Sequence, residues 1–492
     1  MDIWADWTTH IPYILNFAYG PFPLPYHPQF WGESFRYHFA ADLVSGLLMK
    51  LGLSLTQVAV FPSIISSELL IIALYLFFLN IYKNKATAII SSLIFLFNGG
   101  LGLFIAAFSP SPLWPMMTRN DAQGIRWMNF FLAEFIPQRA FLLGAPITIG
   151  ILTALWKIFN DGIQKFSRRH LLILGVVSGL LPVIHFHSFF VILFVSAYLF
   201  ALPLLYRKVA TSWIWFFLPL LLVSGWILSS VFGGVPASNI RFEIGAIRQS
   251  FTSLPIIPFW IINLGIMTIL IPIAFLKASP KIRTFYIPFL ILFILSNMFS
   301  FQKDAWDNRK FLLYWYLASS GLVGYFLYNL ARTKGFLVAI ILFYLATISG
   351  FIDAASTLNS NKQKYPMFSA QDMALAQTVR SKTDVNDVFL TAPTNTYFSL
   401  TIGRQIVMGW EHWLQNYGYE TTQRAQDIKD IYTGEPSARD LIKKYSIDYI
   451  VVGPTERKIY QINDSIFQSL GTVFLKNDTL IIYNIANRTP SN

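Results

Sequence analysis

The sequence contains no cysteine, which excludes disulfides and thiolate-bound zinc. It is also poor in charge: 13% of its 492 residues are Asp, Glu, Lys or Arg, against about 25% in ordinary soluble domains. It has no internal repeat, no low-complexity tract, no Walker loop and no dinucleotide fingerprint in its required context. The glycine run Asn98-Gly99-Gly100-Leu101-Gly102 lies inside an apolar stretch, so it reads as close helix packing rather than a phosphate cradle. What the chain does have is apolar and aromatic bulk: 54% hydrophobic and 17% aromatic residues, with a mean hydropathy of +0.51. A polytopic membrane protein follows.

Apolar runs long enough to span a bilayer are expected near 57–82, 87–108, 141–158, 171–186, 188–206, 213–232, 256–276, 285–301, 311–330 and 336–355. The net charge of +12 raises the question of nucleic acid, but its placement answers it. From Ser356 onward 14 basic residues face 13 acidic ones, so the excess lies in the short loops between spans. Lys83, Lys85, Lys157 to Arg169, Arg207, Lys208, Lys277 to Arg283, Arg332 and Lys334 fall on one side, cytoplasmic by the positive-inside rule. No nucleic-acid partner is expected, and the location is a plasma membrane.

The fold class expected is an α-helical polytopic membrane protein with a small C-terminal extracytoplasmic α/β domain. Residues 1–56 form an extracytoplasmic first loop with juxtamembrane helices, 57–355 a transmembrane domain of about ten helices, and 356–492 the outer domain. The segment Phe39–Gly52 is apolar but short and carries Asp42 and Lys50, so it reads as a juxtamembrane amphipathic helix. In the outer domain Gln371–Arg380 and Ala438–Tyr445 show helical periodicity. Asp387–Thr391, Tyr449–Val452 and Leu480–Tyr483 read as strands.

The loop parity puts the chemistry-bearing residues on the outer face. The start of the chain concentrates Asp6, His10, His27, Glu33, Arg36, Tyr37, His38 and Asp42. Asp6 and His10 are four residues apart and share one face of any helix there; a carboxylate beside Trp7 suits proton acceptance. Arg139 precedes an apolar helix, where its planar fork suits a phosphate, although a snorkelling interfacial arginine carries the same signal. His185 and His187 occupy a tight turn and are equipped to hydrogen-bond a phosphate or to ligate a divalent metal ion. Lys303 to Lys310 sets five charges in eight residues, with Asp307, Arg309 and Lys310 at headgroup level. Glu68 is the one carboxylate inside the first span, where ionisable groups are rare.

Together these residues resemble the GT-C superfamily, polytopic glycosyltransferases that use polyprenyl-phosphate-linked sugars, in particular the RgtA/B/C/D-like and protein-mannosyltransferase-like members. The matching pieces are Asp6 to His10 with Gly20-Pro21-Phe22-Pro23, Tyr37-His38-Phe39 leading into Leu51-Gly52, the 98–102 glycine run, Pro137-Gln138-Arg139, Leu181 to His185 and Trp306 to Lys310. In the outer domain they continue with Thr401 to Arg404, Met408-Gly409-Trp410 and Tyr449 to Pro454. The likeness implies a first outer loop bearing the catalytic acid, which falls on Asp6, and juxtamembrane helices at 39–52. It also implies a span ahead of that loop, which the chain as given does not show, so a missing upstream span is expected. Gly409-Trp410-Glu411-His412-Trp413 is loosely similar to the Trp-Trp-Asp signature of oligosaccharyltransferases, and no peptide-binding role is read from it.

The reaction expected is a single displacement at the outer face. Asp6 takes a proton from an acceptor hydroxyl, which attacks the anomeric carbon of a sugar on a polyprenyl phosphate. Arg139, His185, His187, Arg309 and Lys310 stabilise the phosphate leaving group, and inversion follows from the one-step geometry. His10 and His38, with Asp307, Arg404, Trp410 and Glu411, complete the candidate binding residues. The acceptor is a lipid, a glycan or a protein, and no cofactor beyond a divalent metal ion is in question. The rival readings are a transporter or flippase of lipid-linked sugars and a non-catalytic envelope assembly protein.

Overall fold

The structure is a computed structural model, and it describes residues 3–22, 26–108, 124–125, 138–204, 211–233, 240–249, 252–357, 368–395 and 397–485. Pro23, Glu134 and Pro137 of the sequence motifs lie outside the described residues. The chain divides into two compact units. The first comprises 61–227 and 238–364; the second comprises 2–60, 228–237 and 365–492.

Unit one is helical and holds most of the apolar surface. Across the described residues seven helices are long and apolar enough to cross a membrane, or eight if the bent pair Ile256–Leu264 and Met267–Lys277 counts as one span. Ten apolar runs read from sequence therefore do not all become long helices. The 87–108 run breaks into Lys85–Leu96 and Gly102–Ala107, and the 171–186 run into Arg168–Gly179 and Leu181–Ile184. At the first of these breaks the physical cause is close backbone approach at glycines. Gly100 takes a φ of +56° and lies where a Cβ would come within 2.3 Å of the Asn263 carbonyl, while a Cβ on Gly99 would meet the Gly350 nitrogen at 2.4 Å. Gly265, at the 85° bend, also has a φ of +56° and packs on Gly100. The glycine run thus lets three backbones approach, at the cost of helix continuity.

The helix Arg309–Ala331 is the centre of this unit, buried along most of its length. Gly324 admits the backbone of Lys85–Leu96, since a Cβ there would lie 2.1 Å from the Ser91 hydroxyl. Gly175 likewise lets Arg168–Gly179 close on Ile214–Trp226, with the Phe216 carbonyl 2.3 Å from the position of its Cβ. Small residues at crossings are how helices pack where lipid offers no hydrophobic drive.

Unit two contains α1 (Ile3–Tyr19), α2 (Ala40–Lys50) and the start of α3 (Leu55–Tyr82). The expected first loop thus opens on a 17-residue helix, with Pro12 accommodated inside it. The two short helices cross at Gly46, where a Cβ would come within 2.5 Å of Phe17 Cβ and 3.0 Å of the Ile14 carbonyl oxygen. At 11 residues, α2 reaches about half the length a span needs.

The same unit carries a five-stranded sheet in the order Gln405–Ile406, Val388–Leu390, Tyr449–Val452, Ile481–Ile485, Gly471–Lys476. The first three strands run parallel and the last two antiparallel. Helices Ala370–Ser381, Thr422–Thr433 and Ala438–Lys444 belong with it. The segment 28–31 is laid along the edge strand: Ile406 donates to the Pro28 carbonyl at 3.0 Å, Trp31 to the Ile406 carbonyl at 3.2 Å and Gly409 to the Gln29 carbonyl at 2.7 Å. The beginning of the chain and its end are therefore one folded body.

Candidate active site

The sequence-predicted site residues fall into two groups, one in each unit. Asp6, His10, His38, Arg404, Trp410 and Glu411 belong to unit two; Arg139, His185, His187, Asp307, Arg309 and Lys310 belong to unit one.

In unit two the organising element is the face of α1 that carries Asp6, His10 and Tyr13, spaced as neighbours on a helix. Asp6 sits half-buried in the first turn, where the helix dipole favours a carboxylate. One turn on, His10 is 2% exposed, and its Nδ1 lies 2.9 Å from Oδ2 and 3.1 Å from Oδ1 of Asp42, itself fully buried on α2. A carboxylate on Nδ1 fixes the imidazole's plane and, in the neutral ring, leaves Nε2 as the basic nitrogen. Tyr37 lies 6.2 Å from the His10 ring and stacks on His38 at 4.1 Å. Burial first, then Tyr417, Asp42, Tyr13 and Asp6, hold the Tyr37 hydroxyl well above its ordinary pKa. Both acids thus act on one aromatic nest.

The remaining predicted members of this unit do different work. Arg404 is buried, and its terminal nitrogens donate to the carbonyls of Tyr19 at 2.7 Å, Gly403 at 3.1 Å, Arg380 at 3.0 Å and Thr383 at 3.2 Å. That closes the C-terminal end of α1 onto the sheet domain. Glu411 accepts from Gln415 at 2.9 Å and from the Thr421 hydroxyl at 2.8 Å. Trp410 packs edge-on against Trp413, with ring centroids 5.6 Å apart.

In unit one the second group gathers around the break between Leu181–Ile184 and Phe186–Leu204. His185 is extended there, with φ −158° and ψ 106°, and its Nδ1 lies 2.7 Å from the Ser188 hydroxyl, which in turn bonds the Tyr314 hydroxyl. His187 bonds the Gln302 side chain, and its ring is 5.4 Å from that of His185 and 5.1 Å from Phe311. The helix opening at Arg139 closes on this turn: a Cβ on Gly144 would come within 2.6 Å of His185 Cβ. Arg139 itself is 4% exposed. Lys310 pairs with Asp307 at 2.9 Å, and the Arg309 guanidinium lies 4.8 Å above the Trp306 ring. The loop is pinned by Asp304, which caps the Trp306 nitrogen at 2.9 Å, and by Asn308, which donates to the Ser296 carbonyl at 3.0 Å. His185 and His187 thus lie side by side, and Arg139, Arg309 and Lys310 are buried basic side chains of the same unit, of a type that suits a phosphate.

The chain is similar to an archaeal oligosaccharyltransferase. The crystal structure of the Archaeoglobus fulgidus enzyme tethered with an acceptor peptide aligns at 11% identity and a TM-score of 0.49, over 92% of this chain and 64% of that one. The oligosaccharyltransferase AglB of Archaeoglobus fulgidus in complex with an inhibitory peptide and a dolichol-phosphate aligns at 11% identity and a TM-score of 0.43, over 100% of this chain and 71% of that one. The first enzyme's complex with Zn and sulfate aligns at 14% identity and a TM-score of 0.42, over 92% and 64%. The chain thus spans under two thirds of the first structure's length. No protein-family model and no curated protein matches it.

Among the described residues no three His, Asp or Glu side chains gather into a set able to hold a metal ion. Asp42 was read from sequence as one of the acids gathered at the start of the chain, but not its pairing with His10, 32 residues away, and Tyr13 was not singled out. Tyr13 sits one turn beyond His10, and its hydroxyl is 3.0 Å from His27 Nε2; as an aromatic among 23 tyrosines it gave no signal of its own.

Proposed function

We propose that the chain is a glycosyltransferase that moves a sugar from a polyprenyl-phosphate donor to an acceptor hydroxyl, with inversion, at the extracytoplasmic face of a plasma membrane. In unit two, Asp6 accepts the proton of the acceptor hydroxyl as that oxygen attacks the anomeric carbon, and the buried His10–Asp42 pair holds the adjoining helix face in register. In unit one, Arg139, His185, His187, Arg309 and Lys310 take up the negative charge that develops on the phosphate oxygen as the glycosidic bond breaks. A phosphate departs without a strong general acid, so cations meet the demand.

The observation that carries this reading is the shared α1 face on which Asp6 stands one turn before a histidine fixed by a second, buried carboxylate. Such a carboxylate–imidazole arrangement suits proton transfer. The positive-inside rule, applied to the lysine- and arginine-bearing loops, supports an outer position for the C-terminal domain. The test is the anomeric configuration of the product: reconstituted protein given an α-linked polyprenyl-phosphate sugar yields a β-linked product, and retention of configuration rejects the single displacement.

A second reading, passage of a lipid-linked sugar across the bilayer, is favoured by one feature. The bent pair at Gly265 and the break at Gly99–Gly100 are discontinuous helices in contact, a device of transporters. Flip of a fluorescent polyprenyl-phosphate sugar without any transfer decides for it.

A further inference from the structure

His10 and His185 meet different partners at the same ring nitrogen. At His10 the partner of Nδ1 is the Asp42 carboxylate, 2.9 Å away. An ionised carboxylate only accepts, so that nitrogen carries the proton of the neutral ring. At His185 the partner is a hydroxyl, Ser188 Oγ at 2.7 Å, which gives a proton as readily as it takes one. What stands behind Ser188 therefore decides the tautomer of His185.

Behind it stands Tyr314. Its hydroxyl bonds the serine hydroxyl, and all three residues are sealed from solvent, His185 and Ser188 at 0% and Tyr314 at 2% exposure. A phenol is a stronger acid than an aliphatic alcohol, so in a pair of hydroxyls it is the better donor. With Tyr314 donating to Ser188, the serine's single proton is left for the histidine. A neutral imidazole that accepts at Nδ1 carries its own proton on Nε2. A relay running from Tyr314 to Ser188 to Nδ1 thus makes His185 a donor at its far nitrogen. The reverse order would make that nitrogen a lone pair, the form in which histidine binds a metal ion.

The relay is firmly set. His185 stands at the break between two helices and Ser188 in the first turn of the second. Tyr314 lies on the central helix Arg309–Ala331, four residues after Lys310 and so on the same face. Phe141 packs edge-on against both rings, its centroid 5.5 Å from that of His185 and 6.4 Å from that of Tyr314. The His187 ring is 5.4 Å from His185 and is itself held by Gln302. Among the described residues no third His, Asp or Glu joins these two imidazoles in a set able to hold a metal ion. The unit's buried basic side chains Arg139, Arg309 and Lys310 favour an anion over a cation.

We propose that Tyr314 and Ser188 are positioning residues that hold His185 as the Nε2–H tautomer, so that it meets its ligand as a hydrogen-bond donor to a phosphate oxygen and not as a metal-binding lone pair. The inference rests on the glycosyltransferase reading and deepens it, because it names the chemistry His185 brings to the polyprenyl phosphate and two residues that act through it. Hydrogen bonds to an ionised acceptor are the stronger kind, so a donor fixed in this way gains strength as charge builds on the leaving phosphate.

The test is heteronuclear NMR of the full chain in lipid nanodiscs with isotope-labelled histidine, the His185 signals being those lost in His185→Gln. The expected result is a bare Nδ1 and a protonated Nε2 in the wild type, and a mixture of tautomers in Tyr314→Phe and in Ser188→Ala. Added short-chain polyprenyl phosphate is expected to shift the Nε2–H signal. Its affinity is expected to fall about tenfold in His185→Phe, the loss of one hydrogen bond to a charged group. His185→Gln, whose amide N–H stands close to where Nε2–H stood, is expected to recover most of that loss. A proton on Nδ1 in the wild type, an unchanged tautomer in both relay variants, or binding as weak in His185→Gln as in His185→Phe overturns the proposal. Where a relay variant loses its melting transition, the wild-type spectrum decides alone. An Nε2–H form with no binding of polyprenyl phosphate upholds the positioning and rejects the glycosyltransferase reading beneath it; sugar transfer with the proton on Nδ1 does the reverse.

Discussion

His10 on α1 and Asp42 on α2 form an imidazole–carboxylate pair, Nδ1 to Oδ2 at 2.9 Å, with both residues at 2% exposure or less. Removing one partner leaves the other buried and uncompensated, which costs about 3–5 kcal/mol. Asp42→Ala is therefore expected to lower the unfolding midpoint of the purified chain sharply. The His10→Ala, Asp42→Ala double variant is expected to lose less than the sum of the two single variants. Additive losses in a thermal-denaturation cycle would mean that the pair is not coupled.

Gly46 is the point at which α1 and α2 cross. A methyl group there would overlap Phe17 Cβ, 2.5 Å away, so Gly46→Ala is expected to destabilise the unit by about 1–3 kcal/mol. Gly150, whose Cβ would meet nothing within 4 Å, is the control: Gly150→Ala is expected to leave stability unchanged or raised. Denaturant midpoints of the two variants check this directly.

His27 gives a signed pH dependence. Its pKa falls from 6.5 to about 3 on burial, so between those values the unfolded chain binds the extra proton and the folded chain does not. Stability contributed by the neutral ring is whole above pH 6.5 and is lost as the pH drops toward 3, at about 1.4 kcal/mol per pH unit. His27→Gln is expected to flatten unfolding free energy against pH in that window. An equally steep profile in the variant would contradict the assignment.

These elements differ in how well the sequence announced them. The long spans were legible because an unbroken apolar run needs no tertiary information, as in Leu55–Tyr82 and Phe336–Thr357. The breaks at Gly99–Gly100 and Gly265 were not, because they arise from the close approach of backbones far apart in the chain. Asp6 and His10 were readable together through their helical spacing. Asp42, Tyr13 and the docking of residues 28–31 on the 405–409 edge depend on partners up to several hundred residues away, which one sequence does not record. Arg404 was expected among the binding residues, yet its terminal nitrogens donate to backbone carbonyls, a distinction only coordinates make.

The buried basic side chains of unit one make a prediction about binding rather than turnover. Arg139→Lys keeps the charge and loses the planar fork, so affinity for a polyprenyl-phosphate donor is expected to fall about tenfold, and further in Arg139→Ala. Equilibrium binding of a labelled donor to nanodiscs reads this, and equal affinity in all three proteins would remove Arg139 from the site.

The central claim is that Asp6 is the base. The most direct measurement is release of radiolabelled sugar from polyprenyl-phosphate donors in proteoliposomes by the wild-type chain and by Asp6→Asn, with both proteins shown to melt alike. The account predicts that label leaves the lipid with the wild type and falls by about 10²–10⁴-fold in the variant. Undiminished transfer by Asp6→Asn would contradict it.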